Sequence, residues 1–324
     1  MATYLVTGGA GFIGSHLVDA LLARGHSVRV LDDLSSGKLE NLPAALLGRP
    51  GSGSAVELFL GTITDPELCL GACSGVSGVF HEAAQVSVPR SVEDPRTSYA
   101  INVTGTLNLL EAARACGVAR FVFAASSAAY GDSEVLPKVE TMTPSPLSPY
   151  ASGKVAGEHL LHVYAHVYGM RTVALRYFNV FGPRQADDSP YTGVIALFAK
   201  ALLEGRRARI FGDGQQTRDF TFVENVVEAN LQAVEREVQP GAVINIGTGQ
   251  RVSIHELYSH MAQLLGRDIE PVFEAARVGD VRHSLAAIDR ARSMLDYAPR
   301  KTWEQGLAAT VEWYRSRAQC TVAT

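Results

Sequence analysis

Residues Tyr4-Leu-Val-Thr-Gly-Gly-Ala-Gly-Phe-Ile-Gly14 open as a short apolar run and close in a glycine-rich turn. Ile13, Leu17, Leu21 and Leu22 then recur at helical spacing. Strand, glycine turn and helix in that order are the context a dinucleotide fingerprint requires. Gly8 permits the tight turn, Gly11 lets backbone approach a pyrophosphate, and Gly14 lets the helix pack closely on the strand. Free N–H groups at the helix start then face the phosphates. The spacing is Gly-x-x-Gly-x-x-Gly, not the commoner Gly-x-Gly-x-x-Gly.

Outward from this stretch, Ser27–Leu31 is an apolar strand that ends in Asp32-Asp33. Asp32 lies about twenty residues past the glycines, where a carboxylate accepts hydrogen bonds from an adenosine ribose. It would repel a 2′-phosphate, which favours NAD over NADP. Val56–Leu60, Val79–His81, Phe121–Ala125 and Thr172–Arg176 read as further strands, and Tyr99–Cys116 and Tyr150–Tyr168 as helices. Strands alternating with helices predict an α/β fold, a Rossmann doubly wound parallel sheet. Beyond Phe178 the pattern turns irregular, with helices near Gly193–Glu204 and Val223–Glu235 and a strand at Val243–Ile246. Ser253–Glu256 and Thr302–Gln305 read as capping boxes. The expected division is a nucleotide-binding domain over 1–176, to which 219–248 returns, and a smaller α/β substrate-binding domain over 177–324.

The chemistry concentrates at Tyr150-Ala-Ser-Gly-Lys154. Residues four apart on a helix share a face. A tyrosine phenol is a weak base at neutral pH, and the charge on Lys154 is expected to lower its pKa. Ser126, just past the carboxyl end of its strand, can share a substrate proton with Tyr150. Ligands bind beyond those strand ends in open α/β sheets.

Composition narrows the class. The chain has 324 residues, 47% hydrophobic and 19% charged, with a net charge of −4, so no basic field points to nucleic acid or anionic membrane. Four cysteines without metal-site spacing argue against zinc or a disulfide framework and fit a reducing cytoplasm. No signal-peptide pattern or bilayer-spanning apolar run is evident.

Together, TGGAGFIGSHL, Asp32, HEAAQ, NVTGTLNLLEAA, the Ser126 region, YASGK, RYFNVFGPRQ, GDGQQTRDF and GDVRHS resemble the extended short-chain dehydrogenases, specifically the nucleotide-sugar 4-epimerases. The resemblance covers nearly the whole chain. It implies a catalytic triad of Ser126, Tyr150 and Lys154, with Lys154 also reaching the nicotinamide ribose. It places Gly8, Gly11, Phe12, Ile13, Gly14, Asp32, Ile63, Ala83, Ala84, Gln85, Tyr150 and Lys154 on the NAD site, with Tyr177 and Phe178 beside the nicotinamide. Ser127 adjoins the sugar, Asn179, Arg218 and Arg277 hold the nucleotide diphosphate, and Asp280 meets the uridine ribose. Thr62 departs from relatives that carry an aspartate contacting adenine.

Related dehydratases and decarboxylases place an acid just after the catalytic serine or threonine. Here the run is Ser126-Ser-Ala-Ala-Tyr130, which favours simple epimerisation. Enzymes restricted to glucose and galactose tend to carry a tyrosine after Arg282-His283. Ser284 leaves room for an N-acetyl group. The implied activity is interconversion of UDP-GlcNAc and UDP-GalNAc, with UDP-glucose and UDP-galactose also admissible. A UDP-uronic acid epimerase, with Arg90 or Arg184 meeting the carboxylate, and a non-catalytic NAD or nucleotide-sugar sensor are the alternatives. A homodimer through the helices around Tyr99–Cys116 and Ser152–Tyr168 is expected.

Overall fold

The computed structural model describes residues 1–186, 193–276 and 281–322. Strands β1 (Thr3–Thr7), β2 (Ser27–Asp32), β3 (Leu47–Gly48), β4 (Val56–Leu60), β5 (Gly78–His81), β6 (Arg120–Ser126) and β7 (Arg171–Tyr177) form one parallel sheet with the edge strand Ala242–Ile246. From that edge strand the order runs β7, β6, β5, β1, β2, β4, β3. This is the doubly wound α/β sheet expected from the sequence.

Successive side chains on a strand point to opposite faces, and both faces here are covered. Val6, Val30 and Phe80 enter one buried cluster, shared with Val226 of the helix Val223–Glu235. Their neighbours Leu5, Leu31 and Val79 enter the other, shared with Leu110 of the helix Thr106–Ala115. Two buried faces explain why these strands read as continuous apolar runs. Each fully buried Leu or Phe contributes about 1.5–3 kcal/mol.

The strand order reverses between β1 and β5, and such a switch point opens a crevice beyond the carboxyl ends. Register keeps those ends level. Thr7 pairs with Leu31 and His81, and Ser126 pairs with Tyr177. Gly8, Glu82, Ser127 and Phe178 therefore leave the sheet along one rim.

The predicted helix over Tyr99–Cys116 is not uniform. An α-helical turn at Pro95–Tyr99 passes through a π-helical stretch, Ala100–Gly105, before Thr106–Ala115. The wide turn lets Asn102 accept from Gln85 N at 2.9 Å and donate to Gln85 O at 3.1 Å. Gly105 sits where a Cβ would lie 2.6 Å from the Ile63 side chain. Thr302 and Gln305 form both halves of the expected capping box, at 3.1 and 3.3 Å. Ser253 accepts from Glu256 N at 3.0 Å and opens the helix Ile254–Leu264. Among the described residues, no helix is long and apolar enough to cross a membrane.

Candidate active site

A cleft of about 1490 Å³ occupies the switch point. Gly8 adopts φ +67°, and a Cβ there would lie 2.8 Å from Ala83 N. A Cβ on Gly14 would lie 2.1 Å from Gly8 O. Gly11 caps the helix Phe12–Ala23 without a side-chain hydrogen bond to the first-turn amides. The result is a backbone cradle at a helix N-terminus, lined also by Phe12 and Ile13. Asp32 faces the cleft, and its carboxylate braces the loop by accepting from Ala10 N at 2.9 Å and Leu34 N at 2.8 Å. Each oxygen retains a lone pair for a ribose hydroxyl.

Ile63, Ala83, Ala84 and Gln85 line the same cleft. Ala83 is placed by a buried relay whose tautomer follows from its partners. The Thr106 hydroxyl donates to Asn102 O at 2.8 Å, so its oxygen accepts from His81 Nε2–H at 2.9 Å. His81 Nδ1 then accepts from the Thr7 hydroxyl at 2.8 Å, and Thr7 Oγ1 accepts from Ala83 N at 3.2 Å. Burial pushes the His81 pKa down to about 3, which keeps the ring neutral as the relay requires. Gln85 Oε1 is buried with no hydrogen-bond partner among the described residues, which leaves it an open acceptor at the site.

The loop from Asp33 to Lys38 also lines the cleft, although the sequence reading did not single it out beyond its first acid. Lys38 N and Asn41 Nδ2 both donate to Ala10 O, at 3.0 and 2.9 Å, and fold this loop over the glycine turn. Its signal was local: a polar Ser35-Ser-Gly-Lys38 run one residue past the strand-end acids Asp32-Asp33. Thr62, where an adenine-contacting acid was missing, lies in the cleft wall with its hydroxyl 3.1 Å from that of Thr64. The glycine cradle, Asp32 and the open Gln85 acceptor together fit NAD.

Ser148 accepts from Ala151 N at 3.1 Å and Pro149 occupies the first turn, so the helix Pro149–Tyr168 starts just before the catalytic pair. Tyr150 N donates to Ser91 Oγ at 3.2 Å, and the phenol hydrogen-bonds with Ser126. Lys154 is 3% exposed, donates to Ala124 O at 2.7 Å, and lies 6.0 Å from the Tyr150 ring centroid. The three side chains lie together at the carboxyl end of β6. The expected lowering of the phenol pKa does not appear: burial pushes Tyr150 up, the Ser126 bond acts downward, and the charge on Glu82 pushes up again. Burial also weakens the cation meant to help, since it brings Lys154 down to about 8 against the charges on Glu82 and Glu158.

Ser127, Tyr177, Phe178, Asn179, Arg218 and Ser284 line the remaining wall. Arg218 and Ser284 meet because Thr217 pairs with His283 and accepts from Ser284 N at 3.0 Å. Asn179 holds a left-handed backbone, φ +26°. Arg277 and Asp280 fall outside the described residues. Glu82 and Lys138 also reach the cleft and were not singled out by sequence reasoning. Glu82 stood inside the HEAAQ match, whose flanking alanines drew attention instead.

The profile of the NAD dependent epimerase/dehydratase family matches residues 4–247. A UDP-glucose 4-epimerase of Mycolicibacterium smegmatis is 44% identical over 97% of this chain and 99% of its own length. The crystal structure of UDP-glucose 4-epimerase with UDP-glucose from Thermotoga maritima superposes with a TM-score of 0.91 at 40% identity, covering 98% of this chain and 99% of that one. UDP-N-acetylglucosamine 4-epimerase from Methanobrevibacter ruminantium, in complex with UDP-N-acetylmuramic acid, gives 0.91 at 37% identity over 98% and 99% of the two chains. The chain therefore belongs to the NAD dependent epimerase/dehydratase family, with NAD as its cofactor.

Proposed function

We propose that the chain is a 4-epimerase of UDP-sugars that interconverts UDP-GlcNAc and UDP-GalNAc and also accepts UDP-glucose and UDP-galactose. The relatives' names support the UDP-sugar class, and Ser284 supports the N-acetyl preference because a small hydroxyl residue faces the cleft. NAD bound along Gly8–Gly14 and Asp32 supplies the hydride acceptor and donor. Tyr150 accepts the proton of the sugar 4-hydroxyl, Ser126 shares it, and the pair returns it to the 4-keto oxygen whichever face of the sugar is presented. Lys154 steadies the phenolate charge from behind. Arg218 anchors the diphosphate while the sugar turns, as a guanidinium fork suits phosphate oxygens.

A UDP-uronic acid reading draws on Arg90 and Arg184 in the cleft lining, but Arg184 already pairs with Asp19 at 2.8 Å. We also propose a homodimer through the helices Thr106–Ala115 and Pro149–Tyr168.

The test is steady-state turnover of UDP-GlcNAc against UDP-glucose, in the wild type and in Ser284→Tyr. The expected result is a wild-type preference for the N-acetylated sugar, and its selective loss in the variant with UDP-glucose spared. Equal losses on both sugars would remove Ser284 as a size gate. Activity on a uronic acid alone would replace the reading.

A further inference from the structure

Glu82 is a carboxylate on the wall of a redox cleft, and the reaction scheme leaves it without a task. It follows β5 directly, with its backbone N–H donating to Thr7 O at 3.2 Å. Its side chain accepts from the Tyr177 hydroxyl at 2.8 Å. That hydroxyl oxygen in turn accepts from Asn230 Nδ2 at 2.8 Å, and Asn230 Nδ2 also donates to Val226 O at 2.9 Å. The carboxylate is thus fixed by residues from β7 and the helix Val223–Glu235, far from it in sequence. Such a rigid placement of an acid inside a low-dielectric site has electrostatic consequences for every charge nearby.

Among the described residues, the groups that face it are few. From the helix Pro149–Tyr168 come Lys154, whose ammonium it stabilises, and Tyr150, whose phenolate it opposes. From β7 comes Tyr177, and from the helix Val223–Glu235 the neutral Asn230. His81 points the other way, into the neutral Thr7 and Thr106 relay.

We propose that Glu82 is a positioning residue of the reaction centre: held by Tyr177 and Asn230, its carboxylate sets the charge balance of the Tyr150–Lys154 pair and of the NAD that this cleft would hold. The inference rests on the epimerase reading for its role in turnover. Burial pushes the carboxyl up to about 7, while the Tyr177 bond and the Lys154 charge act downward and favour the carboxylate. A negative charge there favours the oxidised, cationic nicotinamide over the reduced, neutral one. It also raises the pKa of both Tyr150 and Lys154. Removing it shifts both groups to lower pH together.

Glu82→Gln separates charge from shape, because the amide oxygen still accepts from Tyr177. Two readouts apply to the NAD-loaded protein. Equilibration with a redox dye of known potential, without sugar, is expected to move the bound nicotinamide toward the reduced form by about tenfold, the equivalent of one pKa unit of charge interaction. The pH profile of kcat is expected to shift to lower pH on both limbs. Tyr177→Phe is the second variant. It removes the donor that keeps Glu82 ionised, and it should shift both readouts in the same direction by less. An unchanged potential and an unshifted profile in folded, NAD-loaded Glu82→Gln would overturn the proposal. The dye measurement involves no sugar, so its failure leaves the epimerase reading intact. Failure of turnover on every UDP-sugar would defeat that reading without touching the redox result.

Discussion

Tyr150 is held at its backbone as well as at its phenol. Its N–H reaches Ser91 Oγ at 3.2 Å, its hydroxyl meets Ser126, and Lys154 lies one helical turn behind it. Ser126 is itself restrained, accepting from Ala128 N at 3.2 Å as it leaves β6. The phenol therefore has one orientation toward the cleft. Removing its oxygen should leave the fold and the NAD cradle unchanged, because nothing in the glycine loop depends on it. Tyr150→Phe is expected to lower kcat by about 10²–10⁴-fold, the usual contribution of a positioned proton-transfer group. NAD content after purification should match the wild type. Full turnover in the variant would assign the proton transfer elsewhere. Loss of NAD together with activity would make Tyr150 a cofactor ligand first.

The helix that carries Tyr150 is anchored by a buried ion pair. Glu158 takes both forks of Arg176 at 2.8 and 2.7 Å, with each side chain 3% exposed. The Arg176 guanidinium also stacks 4.6 Å from the Tyr130 ring centroid, and the Tyr130 hydroxyl donates to Asn245 at 2.7 Å. One chain of contacts thus ties the catalytic helix, β7, the turn after Ser126 and the edge strand Ala242–Ile246. Glu158→Gln keeps the shape and strands a buried guanidinium, so it should destabilise the fold by about 3–5 kcal/mol. Urea unfolding measures this, and a change below about 1 kcal/mol would show that the pair is dispensable.

None of that tether was legible in the sequence. Glu158 and Arg176 are 18 residues apart, and Tyr177 and Glu82 are 95 apart, so each reads locally as an interruption of an apolar pattern. The glycine turn, the strand-end acid and the Tyr–Lys spacing were legible because their meaning lies within a few residues. The π-helical stretch at Ala100–Gly105 was not, since Gln85 and Ile63 impose it from elsewhere in the chain. The pKa of Tyr150 misled for the same reason: spacing reveals the neighbouring lysine but not the burial that outweighs it.

At the scale of the whole molecule, the two helical segments that frame the catalytic pair are left half-covered. The helix Pro149–Tyr168 turns Lys154, Glu158 and Leu161 inward, while Val163 and Val167 stay exposed, Val167 at 59%. Beside it, Tyr99 and Leu107 are exposed on the run through Thr106–Ala115. Scattered surface apolar residues are ordinary, but these lie on adjacent helices that pack together. A second copy of the chain would cover them by the same face, forming a self-complementary two-fold interface. Such an interface would also brace the outer side of the helix that positions Tyr150. Sedimentation velocity at micromolar concentration is expected to show a dimer. Val167→Asp places a charge at the proposed seam and should shift the equilibrium to monomer, with a lower thermal midpoint. A wild-type monomer under those conditions would end the dimer proposal, and a dimer untouched by Val167→Asp would move the seam to another face.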